Sequence, residues 1–488
     1  MTSEAADAPG TYRARAVRAL AWSISGRFAV QAVRFGFSVA LARLLSPHEF
    51  GLLAMVTLLV QFGSSIADLG FADALVQKRD IDERHRSAVF WTMLVTGVVL
   101  AVATVALAPR IAEFYGVEDV AGLAEMLAPL FLLSAFSTVP RALVERRLDF
   151  RNVAQIECAA VVIAGVVAVV LAWRGFGVTS LAVQLLLAEA LEAVLFLRAS
   201  AWWPRRQWSV AALGDLVGFG TNRVATRTLG YWSRHVDELL VGKILGVASL
   251  GLYTRAFNLI QVPVIYVARA AARVLFPSLA EIQDDRERVR RTHLRTTGAV
   301  ALATVPMCLG IAALAEPLVL GLFGARWKEM IPLVRILSVV GLLQSITSLS
   351  ASLFLSQGRP DLHLRVTLLQ SVTTIVAVLV GRYWGVTGVA VAYAVAAMIV
   401  TVPTLYFAGR LVGLSITDLF ARVTAVLGAG AIMAALVVLV DHWALDAATA
   451  LARLAVGIAV GATSYVAAIY LCRVQAYRDV ADLLRRSA

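Results

Sequence analysis

The stretch GRFAVQAVRFGFSVALAR, Gly26–Arg43, is apolar enough to cross a bilayer yet carries Arg27 and Arg34 within it. It recurs 200 positions later, where Thr226–Lys243 matches Arg27 with Arg227, Arg34 with Arg234 and Arg43 with Lys243. Past the helix, Leu45, Gly51, Leu52, Leu59 and Gln61 are identical to Leu245, Gly251, Leu252, Leu259 and Gln261. A seven-residue step turns a helical position by only about −20°, so each arginine pair lies on one face, and Arg223 joins the second. A guanidinium near mid-bilayer costs about 3 kcal/mol on insertion scales, so it faces a partner or a water-filled cavity. Two other readings stand beside this one: Arg27 is near enough to the span's end to snorkel, and Arg234 has Asp237 on its own helix to pair with. For Arg34 the first span offers no acidic residue.

Composition sets the class. Of 488 residues, 60% are hydrophobic and 16% charged, with mean hydropathy +0.79, far beyond a soluble domain. The net charge of +12 does not point to nucleic acid, because the arginines recur between apolar spans, as orientation signals do, and no basic run is interleaved with aromatics. Cys158, Cys308 and Cys472 lack metal or disulfide spacing and read as packing residues. The N-terminal segment is polar, then basic, then amphipathic, without a cleavable signal pattern.

Windows of about 20 apolar residues give fourteen spans, near 24–45, 50–70, 87–108, 121–143, 153–173, 177–198, 215–243, 249–275, 295–322, 331–356, 363–382, 386–409, 419–440 and 450–472. Counting basic residues on alternate sides puts 28 on the side of the N-terminus, nine on the other and seven within spans. Both termini are therefore expected in the cytoplasm. Two further matches, RRLDFR (146–151) with GRPDLH (358–363) and GFGVTSLAV (175–183) with YWGVTGVAV (383–391), extend the duplication. Six helices separate each match, so the copies enter the membrane in the same direction, as parallel repeats. The expected fold is an all-α polytopic membrane protein: a six-helix lobe over 1–200, a second over 201–412, and an extra helix pair with a tail over 413–488.

Asp80-Ile81-Asp82 has the D-x-D spacing of metal–sugar-nucleotide binding, but no nucleotide-binding βα unit precedes it and its neighbours describe a solvated connector. Gly175-Phe176-Gly177 and Gly218-Phe219-Gly220 read as helix-packing glycines rather than phosphate cradles. His48-Glu49 lacks a second histidine, the six histidines never cluster, and no loop is long enough for a catalytic domain, so no metal or cofactor is expected. The carboxylates Asp68, Asp73, Glu189, Glu192 and Asp237 are salt-bridge partners by default; Asp68, Glu189 and Asp237 are the candidates for a coupling ion.

The segments LARLLSPHEFGLLAMV (41–56), ADLGFADALVQ (67–77), LGLYTRAFNLIQVPV (250–264) and VLFPSLAEIQDD (274–285) resemble the polysaccharide exporter branch of the Wzx-type flippases. That superfamily also holds the multidrug MATE transporters and the lipid II flippase MurJ. The resemblance spans nearly the whole chain, most distinctively the LARLL-P-x-x-FG-L turn and the LY-RA-N-I-P stretch. It implies a transporter in a bacterial cytoplasmic membrane that carries undecaprenyl-diphosphate-linked oligosaccharides between leaflets by alternating access of two lobes. Its partners would be the lipid-linked glycan, membrane lipids and other polysaccharide assembly proteins. A diphosphate suits bidentate arginine. Arg27, Arg34, Arg223, Arg227 and Arg234 are therefore expected to line one headgroup cavity, with Gln61 from the repeat match and Arg255, Asn258 and Gln261 from the LY-RA-N-I-P stretch beside them. By the same resemblance the last two spans border a groove for the lipid tail. Three rivals remain. A drug or cation antiporter would carry an acid in its first span, and residues 11–48 contain none. A glycan polymerase or ligase would carry a large external loop. Lipid II export is the third.

Overall fold

The computed structural model describes residues 9–67, 70–78, 80–217, 220–413, 415–444, 448–471 and 475–478, leaving aside the side chains of 9–21, 23–24, 73, 215–217, 220–227, 262–263, 416, 419–420 and 444. Among the described residues every regular element is helical. The chain divides into two compact units, 1–232 and 233–488.

The first unit holds α1 (Pro9–Leu44), α2 (Pro47–Ala67), α3 (Phe71–Gln77), α4 (Glu83–Tyr115), α5 (Asp119–Leu127), α6 (Leu130–Arg146), α7 (Phe150–Trp173), α8 (Val178–Ser200) and α9 (Val210–Val217), and α10 (Gly220–Leu245) passes from it into the second. The second holds α11 (Val247–Glu281), α12 (Arg286–Ala313), α13 (Ala315–Leu318), α14 (Met330–Thr347), α15 (Ser350–Ser356), α16 (Pro360–Gly381), α17 (Gly385–Val412), α18 (Ile416–Ala444) and α19 (Ala450–Leu471).

Ten helices among the described residues are long and apolar enough to cross a bilayer, or eleven if Val247–Gln261 and Val264–Glu281, bent by 43°, form one span. One of the ten is the 53-residue stretch Pro360–Val412. Continuous helix of that length would rise about 80 Å, against a hydrocarbon core of about 30 Å. The chain instead turns through Arg382–Trp384 and Gly385, where φ is 70°, and α16 and α17 pack side by side. This stretch therefore contains two spans, at the positions the sequence gives them. α1 and α10, which carry charges along their length, are not among the ten. Length and composition alone thus do not yield fourteen; that number requires the bent pair, the turn at Gly385 and both charged helices.

Helix starts follow local chemistry. At Ser46-Pro47-His48-Glu49 the Glu49 carboxylate accepts from both Ser46 N–H and Oγ–H, half of a capping box, with proline in the first turn where no N–H is missed. α4 and α12 both begin with an aspartate N-cap: Asp82 accepts from His85 N and Asp285 from Arg288 N, each at 3.0 Å. The helix order also repeats in its packing. In the first unit α4 packs on α6, α6 on α8 and α7 on α8; in the second α12 packs on α14, α14 on α17 and α16 on α17. α18 and α19 add a further layer, α18 lying on α12.

What matters for the site is how α1 is held. It packs along α7, and two glycines set the distance. A Cβ at Gly26 would lie 2.5 Å from Ala154 Cβ, and one at Gly165 would lie 2.4 Å from the Phe37 ring, so only glycine admits this approach. Between Gly26 and Phe37, α1 carries Arg27 and Arg34.

Candidate functional site: an arginine and glutamate cluster in the first unit

Three helices bring charge to the side of α1. On α6, Ser137, Arg141 and Glu145 are spaced by four and share a face; on α8, Glu189, Glu192 and Phe196 do the same at spacings of three and four; α7 contributes Glu157. Arg141 is the hub. Its Nε donates to Glu145 Oε1 at 3.0 Å, its Nη2 donates to Glu157 Oε1, and its Nη1 lies 3.8 Å from Glu192 Oε2. The guanidinium also stands over the Phe196 ring, 5.7 Å from its centroid. Glu192 is buried and shared: its Oε1 lies 3.8 Å from Arg34 Nη2. Glu189 Oε1 accepts from Ser137 Oγ at 2.7 Å. Arg27 is exposed and lines a small cleft with Trp22, Arg141, Glu145, Phe150, Val153, Ala154 and Glu157.

The structure thus brings together Arg27, Arg34, Glu189 and Glu192 of the residues singled out from sequence, Glu192 in the salt-bridge role expected of it, and adds Arg141, Glu145 and Glu157. The missing partner of Arg34 comes from α8, not from its own helix. Arg141 carries the largest correction. Counted from sequence with the arginines outside the spans, it sits inside α6 among three glutamates. Its i,i+4 relation to Glu145 was the available signal.

The two guanidiniums are held differently. Arg141 makes two direct hydrogen bonds, and its partners Glu157 and Glu192 are 12% and 9% exposed; Arg34, 54% exposed, sits beyond hydrogen-bond distance of Glu192, the one acid it pairs with among the described residues. One arginine is committed to the fold. The other keeps its donors available.

The second unit handles charge by other means. Asp237 on α10 is buried and accepts from Tyr253 Oη at 2.8 Å; Tyr253 stacks on Phe257, and Tyr393 meets Phe257 edge-on. Asp237 is therefore met by a tyrosine of α11 rather than by Arg234 of its own helix, and Arg234 itself is exposed. His235 and Glu238 form a pair at 3.4 Å. Of the motif residues, Asn258 is exposed, Arg255 half-buried and Gln261 buried, whereas Gln61 on α2 is exposed. Asp68 and the side chains of Arg223 and Arg227 lie outside the described residues.

Residues 40–332 match the family described as polysaccharide biosynthesis protein. The chain belongs to that family. Among curated members of the polysaccharide biosynthesis group, it is 26% identical over 394 residues, 80% of each chain, to the lipopolysaccharide biosynthesis protein WzxC of Escherichia coli. It is 28% identical over 322 residues to the succinoglycan biosynthesis transport protein ExoT of Rhizobium meliloti, covering 66% of this chain and 65% of that one. Among solved structures, the lipid II flippase MurJ in an inward closed conformation superposes with TM-score 0.75 at 14% identity, over 94% of this chain and 99% of that one. An inward-facing multidrug MATE transporter superposes with TM-score 0.62 at 15% identity, over 78% and 94%. The fold of this polysaccharide biosynthesis protein is therefore the MurJ and MATE fold, a multi-pass membrane architecture.

Proposed function

We propose that the protein is a flippase that carries polyprenyl-diphosphate-linked oligosaccharides from the inner to the outer leaflet of a bacterial cytoplasmic membrane, by alternating access of lobes over 1–200 and 201–412. Both termini are cytoplasmic in this reading, from the arginine asymmetry, and α18 and α19 serve the lipid tail. The reading draws its family context from WzxC and ExoT, named for lipopolysaccharide biosynthesis and succinoglycan biosynthesis transport.

The observation that carries the site is the contrast between Arg141 and Arg34. A dianionic diphosphate presents the bidentate geometry an arginine fork matches, and Arg34 has donors to offer without breaking a hydrogen bond. Arg27, one helical face along, extends the same surface; Arg223, Arg227 and Arg234 are the matching set on α10. As phosphate engages Arg34, Glu192 loses one of its two guanidiniums and relies on Arg141. Glu189 and Asp237 are assigned to ion coupling, and Glu189→Gln or Asp237→Asn should then abolish dependence on the ion gradient while leaving the lipid-linked glycan bound.

The test of the site is Arg34→Ala, expressed to wild-type membrane levels in a strain lacking the native transporter. Losing a charged hydrogen bond of about 1.5–3 kcal/mol weakens headgroup binding roughly tenfold or more. Surface polysaccharide should fall and lipid-linked repeat units accumulate inside. Arg34→Lys should recover part, keeping the charge without the fork. Normal export by Arg34→Ala at equal expression would remove Arg34 from the binding surface.

A further inference from the structure

A second polar site lies in the second unit, where the extra helix pair meets the repeat. A cavity of about 310 Å³ is lined by Ala312 and Ala313 at the end of α12, Glu316 on α13, Arg335 on α14, Val438, Asp441 and His442 at the end of α18, and Arg453 at the start of α19. These positions all lie within about two turns of a helix end, which places the cavity toward one surface of the membrane rather than at its middle. Trp443, 81% exposed beside it, is the aromatic expected at headgroup depth, and Leu439 and Leu451, each about half exposed, continue an apolar flank toward the lipid.

Its charges are balanced and unlike. Arg453 and Asp441 form a bidentate pair at 2.8 and 2.7 Å, neutral as a unit, joining α18 to α19. Arg335 and Glu316 add one free cation and one free anion, since neither makes an ion pair among the described residues. A purely anionic ligand would meet Asp441 and Glu316; a purely cationic one would meet Arg335 and Arg453. A ligand carrying both signs satisfies the lining, and a volume of this size is at the lower end of ligand sites.

We propose that this cavity binds the headgroup of an aminophospholipid, its phosphate on Arg335 and its primary ammonium on Glu316, with the acyl chains along α18 and α19. The occupant is a bilayer lipid rather than the cargo, so the site stands or falls independently of what the protein transports. It would fix the helix pair to the repeat at the headgroup level.

The test uses the full chain purified in detergent, with phosphatidylethanolamine, phosphatidylcholine, phosphatidylglycerol or a neutral methyl glycoside added, and reads bound lipid by native mass spectrometry alongside the thermal midpoint. Wild-type protein should retain phosphatidylethanolamine at least about tenfold better than the other two lipids, the worth of one charge-assisted contact. Glu316→Gln should erase the preference over phosphatidylcholine, whose quaternary ammonium cannot donate, and Arg335→Ala should weaken both lipids. Neither change breaks the Arg453–Asp441 pair, so both variants keep the contact joining the helices, and an unshifted midpoint without lipid confirms folding. Equal retention of the three lipids, an unchanged preference in both variants, or stabilisation by the glycoside but not by phosphatidylethanolamine would each overturn the proposal.

Discussion

The two helical openings, α1 with α2 and α10 with α11, are copies in sequence set in different surroundings. Their scaffold positions agree: Leu41 and Val241, Phe50 and Leu250, and Leu52 and Leu252 are buried in pairs. Their polar positions do not. Gln61 is exposed and Gln261 buried. The turn after α1 is held by Glu49 bonded to Ser46, the turn after α10 by Gly246 with φ at 84°. Charge follows the same split, for Arg34 meets an acid delivered by α8 whereas α10 carries its own acid, Asp237, satisfied by a tyrosine. Duplication has preserved the packing and left the polar positions to diverge. The first unit became a shared ionic cluster and the second a hydrogen-bonded carboxyl.

The largest expected effect separates these two solutions. Arg141→Ala takes the cation from Glu145 and Glu157 and leaves Glu192 with Arg34 alone, and removing one partner of a partly buried pair costs toward the lower end of about 3–5 kcal/mol. Thermal unfolding in detergent should show it as a large drop, partly reversed by adding Glu157→Gln. A midpoint like that of wild type would mean that Arg141 is not the anchor of the first unit. Tyr253→Phe is the counterpart in the second unit, leaving a buried carboxyl without its donor at a cost of about 1–3 kcal/mol. Adding Asp237→Leu should recover most of that loss, because removing both partners leaves nothing unsatisfied. If the double change were worse than the single one, Asp237 would have a partner beyond Tyr253.

The fold was legible because its signals are local or periodic: apolar length, and a repeat whose offset stays near 200 residues. Within the candidate site the same logic found Arg27, Arg34, Glu189 and Glu192, which stand out as charges within apolar runs. It failed for Arg141, since an arginine near the end of a span reads equally as a loop cation. It failed for Glu157 because nothing in one helix tells which neighbour its side chain meets. The partner of Arg34 is 158 residues away, and only the packing of α1, α7 and α8 joins them.

The turns provide a smaller contrast. Gly246→Ala forces a residue with a Cβ into φ 84°, ψ −179°, a region essentially reserved for glycine, at about 1–3 kcal/mol, whereas Ser46→Ala, at the structurally ordinary turn, should cost about 1 kcal/mol or less because its N–H still reaches Glu49. Chemical denaturation of the two variants side by side would measure the difference. Equal losses would show that the turn after α10 does not depend on its glycine.

The smallest effect concerns α4 and α12, the equivalent helices that begin alike. Asp82 caps α4, and the hydrogen bond from the His85 amide, joined by one from the His85 side chain, holds its carboxyl below the ordinary carboxylate range. The same contact accounts for the second aspartate of Asp80-Ile81-Asp82, whose oxygen is engaged by the helix. Because the folded value is the lower one, the ionised cap contributes stability above the ordinary carboxylate range, and that contribution is lost as pH falls through the depressed value. Asp82→Asn keeps an acceptor at every pH, so it should remove the pH dependence without removing the cap. Hydrogen exchange at the first-turn amides of α4, followed as pH is lowered, should show protection fading in wild type and staying level in Asp82→Asn. Identical pH profiles in the two proteins would mean that the charge of Asp82 adds nothing to the cap, leaving α4 and α12 capped by geometry alone.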